Sequence, residues 1–134
     1  LEALWGLRNM SDQAFHLTDT NELLRLLVPL LSSSVEHIAI CAAGCLCNLS
    51  CQNSHNKATI QAAGALGDVV SLLNAESDPS QLPLVKAVVG LVRNLGLDRE
   101  CRRELQWVLH SLIIGYLSSI LFRPSNVRLC FFFI

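Results

Sequence analysis

Four cysteines, Cys41, Cys45, Cys47 and Cys51, fall within eleven residues and are flanked by His37 and His55, the densest group of metal-ligand and nucleophile types in the 134-residue chain. Structural zinc draws ligand pairs two to four residues apart from turns and a second pair from elsewhere. These thiols instead wind around one helical pattern and point in different directions, so no metal site is expected. Cys51 and His55 could be drawn as nucleophile and base, but no third orienting group or oxyanion donor set accompanies them, and no catalytic residue is expected. Neighbours on one helix also bridge badly. With no signal peptide at residue 1, the six cysteines read as reduced thiols filling a core in a reducing compartment. Gly64-Ala65-Leu66-Gly67 lacks the preceding strand and the downstream spacing of a nucleotide loop, and no cofactor is expected.

A second set of polar side chains recurs at longer intervals. Asn9, Asn48 and Asn94 each stand near the end of a helical pattern, 39 and then 46 residues apart. Residues three or four apart on a helix share a face. Trp5 therefore sits with Asn9, Cys41 and Gly44 with Asn48, and Lys86, Gly90 and Arg93 with Asn94. A carboxamide both donates and accepts, so a row of them can hydrogen-bond the main chain of an extended peptide without reading its side chains. The alternative for each asparagine is a helix cap or turn. Arg8, Lys57, Lys86 and Arg93 would give such a row a local positive potential in a chain of net charge -1, and low-dielectric groove walls would strengthen it for an acidic ligand. Solvated surface positions are the alternative for the lysines. Trp5 is either an interface anchor or a core ring.

In the elements that must carry these residues, the apolar positions recur at three and four residue spacing and no period-two alternation runs far. Leu4–Met10, Cys45–Ser50 and Gly90–Leu95 form one repeating helix ending in Asn-apolar or its equivalent, and Glu22–Leu31, Leu66–Leu73 and Val108–Ile114 form another. Asn21 is a candidate N-cap, Pro29 should kink its helix, Ser32-Ser33-Ser34 and Gly64 separate helices, and Asp78 to Pro83 reads as a loop. Just over half of the residues are apolar and 16% are charged. Helices this short and apolar cannot bury their faces alone, whereas a stack makes one continuous core. The expected architecture is an all-α solenoid of about three repeats. Its units are an end-of-repeat segment at 1–20, repeats at 21–63 and 64–105, the start of a further repeat at 106–122 and an atypical hydrophobic tail at 123–134. The opening inside an amphipathic pattern, with Met10 the only methionine, leads us to expect further sequence before residue 1.

These repeats resemble the armadillo repeat, and more narrowly the beta-catenin and plakoglobin family. The resemblance rests on Leu4-Trp5-Gly6-Leu7-Arg8-Asn9-Met10-Ser11-Asp12, on Cys41 to Cys51 followed by Asn53, Asn56 and Lys57, and on Leu82 to Leu95, and it covers residues 1 to about 105. It implies a right-handed superhelix with the matching asparagines lining a concave groove, and it places Lys57 at a family lysine that pairs with a ligand carboxylate. In the family the segments like 41–57 and 82–95 are separated by an additional repeat, which is absent here. The implied activity is non-catalytic: a scaffold binding extended acidic segments, such as a cadherin cytoplasmic tail, a T-cell-factor transcription factor or an axin-like destruction-complex scaffold. Cell adhesion and Wnt signalling would follow, in cytoplasm, nucleus and cell junction. Nucleic acid would not be touched directly, and membrane association would be indirect through cadherin.

Two alternatives stand beside this reading. An importin-like carrier of basic peptides would need an acidic groove lining, which Arg8, Lys86 and Arg93 do not supply. A membrane-anchored protein would use residues 105–122 as its span, a run that is marginal for the purpose because Gln106, His110 and three serines interrupt it.

Overall fold

The structure, a computed structural model, describes residues 2–14, 16–17, 19–74, 82–107 and 110. It is an all-α solenoid. Helices α1 (Glu2–Ser11), α2 (Asn21–Leu27), α3 (Glu36–Ser50), α4 (Ser54–Ala62), α5 (Ala65–Asn74) and α6 (Leu82–Gly96) follow one another, and a short 3-10 helix, Val28–Ser32, extends α2. Residues 99–107 are helical again. The expected pattern of 108–114, the bulk of the run 105–122 and the tail from 123 lie outside the described residues. Among the described residues no helix is long and apolar enough to cross a membrane.

The helices form rows. α3 lies between α1 and α6, making one layer, while α2 with its 3-10 extension meets α5 in a second layer and α4 crosses against α2, α3 and α5. A helix covered on both flanks must be narrow at its middle. α3 meets that demand with Ala42, Ala43, Gly44 and Cys45, all buried, the cysteine acting as a small apolar residue. Around them Leu24, Leu27, Leu31, Leu46, Leu49, Ile60, Val69, Leu91 and Leu95 belong to one continuous buried cluster running through both layers. Removing a side chain of this size from water contributes about 1.5–3 kcal/mol each. The core is therefore made between repeats, not within any single helix.

Several local expectations are revised by the backbone. Asn21 does not cap α2: Thr20 holds the N-cap position without a side-chain bond, and the Asn21 Oδ1 faces α4, accepting from the Thr59 hydroxyl at 2.9 Å and lying 3.0 Å from His55 Nε2. A tertiary partner has taken the group that propensity would have given to the helix end. At Pro29 the chain does not merely bend; α2 stops at Leu27 and tightens into the 3-10 turn, with proline in its first residues, where the missing N–H costs no bond. Leu82 and Pro83, read as the end of a loop, begin α6, again where proline is tolerated. Gly64 does separate α4 from α5, with φ of 85° that favours glycine.

A buried amide network anchors the start of α4. Asn53 caps the helix by accepting from the Asn56 backbone N–H at 3.0 Å, and its Nδ2 donates to the Leu17 carbonyl at 3.1 Å. Asn56, fully buried, donates to the Leu49 carbonyl at 2.8 Å and accepts from the Thr20 hydroxyl at 2.7 Å. It thus ties α3 and the segment before α2 to α4. Leucine at position 56 matches the volume but strands the Leu49 carbonyl and the Thr20 hydroxyl. Asn56→Leu should cost about 2–3 kcal/mol, read as a lower urea midpoint with an unchanged slope.

Candidate peptide groove

The row α1, α3, α6 carries all three recurrent asparagines. Asn48 on α3 reaches back to the end of α1, its Nδ2 donating to the Ser11 hydroxyl at 3.0 Å and more weakly to the Arg8 carbonyl at 3.4 Å. Asn94 on α6 repeats the geometry against α3, donating to the Cys47 carbonyl at 2.8 Å and to the Ser50 hydroxyl at 3.4 Å. The serines correspond as well, each bonding the carbonyl three residues before it: Ser11 to Arg8 at 2.6 Å and Ser50 to Cys47 at 2.9 Å. The end of a helix leaves carbonyls without intrahelical donors. Here the next helix in the row supplies one. The capping alternative for these asparagines is thus met in an unexpected form: each caps the preceding repeat, not its own helix. All of these bonds use Nδ2, so they leave the Oδ1 acceptor uncommitted.

Four residues before each of these asparagines stands a glycine, and both glycines receive a side chain from the preceding helix. A Cβ on Gly44 would lie 2.5 Å from Arg8 Nε and 3.0 Å from its Cδ, and one on Gly90 would lie 3.0 Å from Cys47 Sγ. Arg8 and Cys47 are the residues immediately before Asn9 and Asn48. Each joint therefore has two parts, a side chain laid over a glycine and an amide closed on a carbonyl one turn further on.

Between the joints runs an open groove of about 740 Å³ lined by Arg8, Asn9, Asp12, Ile40, Gly44, Cys47, Asn48, Pro83, Lys86 and Ala87. It brings together four of the residues singled out from sequence: Arg8, Asn9, Asn48 and Lys86. Trp5 lies one turn before Asn9 on α1 and is 59% exposed, which removes the core-ring alternative. Arg93 is exposed beside Asn94. Lys57 does not join them. It sits on α4, buried with 6% exposure, and is not part of the groove lining. Sequence reasoning missed Asp12, Ser11 and Ser50; the shared spacing of Ser11 and Ser50 after Asn9 and Asn48 was the available signal.

The thiols near the groove are not poised for chemistry. Burial pushes the Cys45 thiol up, partly offset by its hydrogen bond with Ser11. Burial and the neighbouring Cys51 push Cys47 up, against the opposing pull of Arg8 and Arg93. The thiolate is the reactive form, and these side chains are held protonated. Against α4, burial and Asp98 push the Cys101 thiol up to about 11. Among the described residues no three His, Cys, Asp or Glu side chains gather as a metal site would require.

No family model matches the chain. It is 33% identical to catenin beta of Urechis caupo over 138 residues, covering 70% of this chain and 17% of that protein. Armadillo segment polarity protein of Drosophila melanogaster is also 33% identical over 138 residues, with 70% and 16% covered. Junction plakoglobin of Homo sapiens is 33% identical over 141 residues, with 70% and 18% covered. The chain belongs to the beta-catenin and plakoglobin family of armadillo-repeat proteins. It spans about a sixth of the length of these curated relatives. In this armadillo segment Asn48 and Asn94 each tie their own helix to the end of the preceding helix in the row.

If the amide clasps fix that stacking, Asn48→Leu and Asn94→Leu should each lower unfolding free energy by about 1–3 kcal/mol, because a helix-end carbonyl loses its donor. Asn9→Leu, at an exposed position, should stay within about 0.5 kcal/mol of the parent. Urea unfolding of the three variants would separate the two classes, and a uniform response would remove the clasp from the account.

Proposed function

We propose that this chain is part of a non-catalytic protein interaction scaffold that holds an extended acidic peptide along the α1, α3, α6 row. The observation that supports this most directly is the groove itself, where Arg8 and Lys86 face a channel whose walls also carry Asn9 and Asn48. Asn48 and Asn94 keep an acceptor oxygen for a bound main chain. Asn9 and Asn48 would bond the peptide backbone, Arg8, Lys86 and Arg93 would attract its carboxylates, and Trp5 would pack on an apolar side chain at the open end. A carrier of basic peptides is disfavoured, because Asp12 is the single acidic residue in that lining.

By family, the partners would be proteins with extended acidic segments: a cadherin cytoplasmic tail, a T-cell-factor transcription factor or an axin-like scaffold. The roles would be cell adhesion and Wnt signalling, in the cytoplasm, the nucleus and the cell junction. Lys57, the family-matched lysine, would contribute from its buried place on α4 only indirectly, since α4 packs against α3, which lines the groove. Its removal tests stability more than binding.

The two lysines make the test. Lys86→Glu should weaken binding of an acidic cadherin-tail peptide about fivefold or more at low salt, while its melting temperature stays near that of the parent. Lys57→Glu should lower the melting temperature by several degrees, since it buries an unpaired carboxylate. Glu36→Lys, on the exposed start of α3, should leave both readouts unchanged. Equal loss of affinity in Lys86→Glu and Glu36→Lys would exclude the groove assignment.

A further inference from the structure

The alignments with the armadillo relatives run over 138 to 141 residues while drawing on only 70% of this chain's 134. The relatives therefore contribute about 45 residues that this chain does not, which is within the length of one armadillo or HEAT repeat. The resemblance places that shortfall between 57 and 82. Loss of a partial repeat would turn every later helix onto a different face and leave helix ends without donors. Neither is seen. Asn94 meets Cys47 and Ser50 as Asn48 meets Arg8 and Ser11, Gly90 takes Cys47 as Gly44 takes Arg8, and Leu91 and Leu95 are fully buried in the shared core.

From this we infer that the chain is shortened by one whole repeat that the stack closes over in phase, so that Arg8 and Lys86 act together on carboxylates spaced one repeat closer than in its relatives. The inference rests on the acidic-peptide reading and specifies its partner. Helices in such a row lie about 8–10 Å apart, and an extended peptide advances about 3.3 Å per residue. The preferred partner thus has two acidic clusters about three residues nearer to one another than a relative would select.

Synthetic peptides with two Glu-Glu clusters, separated by uncharged spacers of graded length, would be titrated by fluorescence anisotropy against the full chain. The same series would be run on a variant with the Drosophila relative's unmatched repeat inserted between 74 and 82, its helicity checked by circular dichroism. The expected result is an optimum spacer about three residues longer in the insertion variant. On the parent's best peptide, Arg8→Glu and Lys86→Glu should each cost about fivefold. An identical optimum in both chains would overturn the inference, as would a best peptide sensitive to only one reversal. Binding by the insertion variant alone would show that the shortened groove is broken. If no peptide of the series bound either chain, the acidic-peptide reading itself would fall. Should the insertion variant not fold, the paired reversals on the parent decide.

Discussion

The carboxamide that closes each joint is the interaction on which this molecule depends. A helix of ten to fifteen residues ends with exposed carbonyls, and in a solenoid those ends lie where the next helix must pack. Asn48 and Asn94 donate to the carbonyl and serine hydroxyl at the end of the preceding helix. One bond of this kind contributes only about 1 kcal/mol net. Its greater effect is on specificity, because the apolar faces of α1, α3 and α6 could slide along one another by a turn with little change in buried area, whereas the donor meets its acceptor in one register. Core burial holds the helices together, and the amides decide how.

Much of this was legible beforehand, because a repeat repeats its chemistry. The 39 and 46 residue spacing of the asparagines located the row, and the face-sharing rule put Gly44 with Asn48 and Gly90 with Asn94. What could not be read was the direction of each side chain's tertiary partner. Lys57 looks like a surface lysine on a polar stretch, Ser54-His55-Asn56-Lys57, yet α4 is wedged against α2, α3 and α5 and encloses it. Asn21 has the composition of an N-cap and serves α4 instead. Asn56 carried no signal beyond its place beside Lys57, and it proves to be the most deeply buried amide of the described residues. In each case a neighbour distant in sequence outcompeted the local preference.

The cysteines of α3, part of the most conspicuous chemical group in the sequence, follow the packing of that helix. α3 is the helix with neighbours on both flanks, so its residues must be narrow. Cys41 and Cys45 are buried and Cys47 is half-buried. That burial raises the thiol pKa values of Cys45 and Cys47.

The fit of Arg8 over Gly44 and of Cys47 over Gly90 bears on how such proteins can change over time. Two residues on different helices share one small volume, so a bulkier side chain on one is tolerated only while the other stays a glycine. The heritable unit is then not the helix but the seam between helices, and segments that carry matching seams can be gained or dropped whole. Chains built this way can lengthen or contract by recombination without redesigning their interiors.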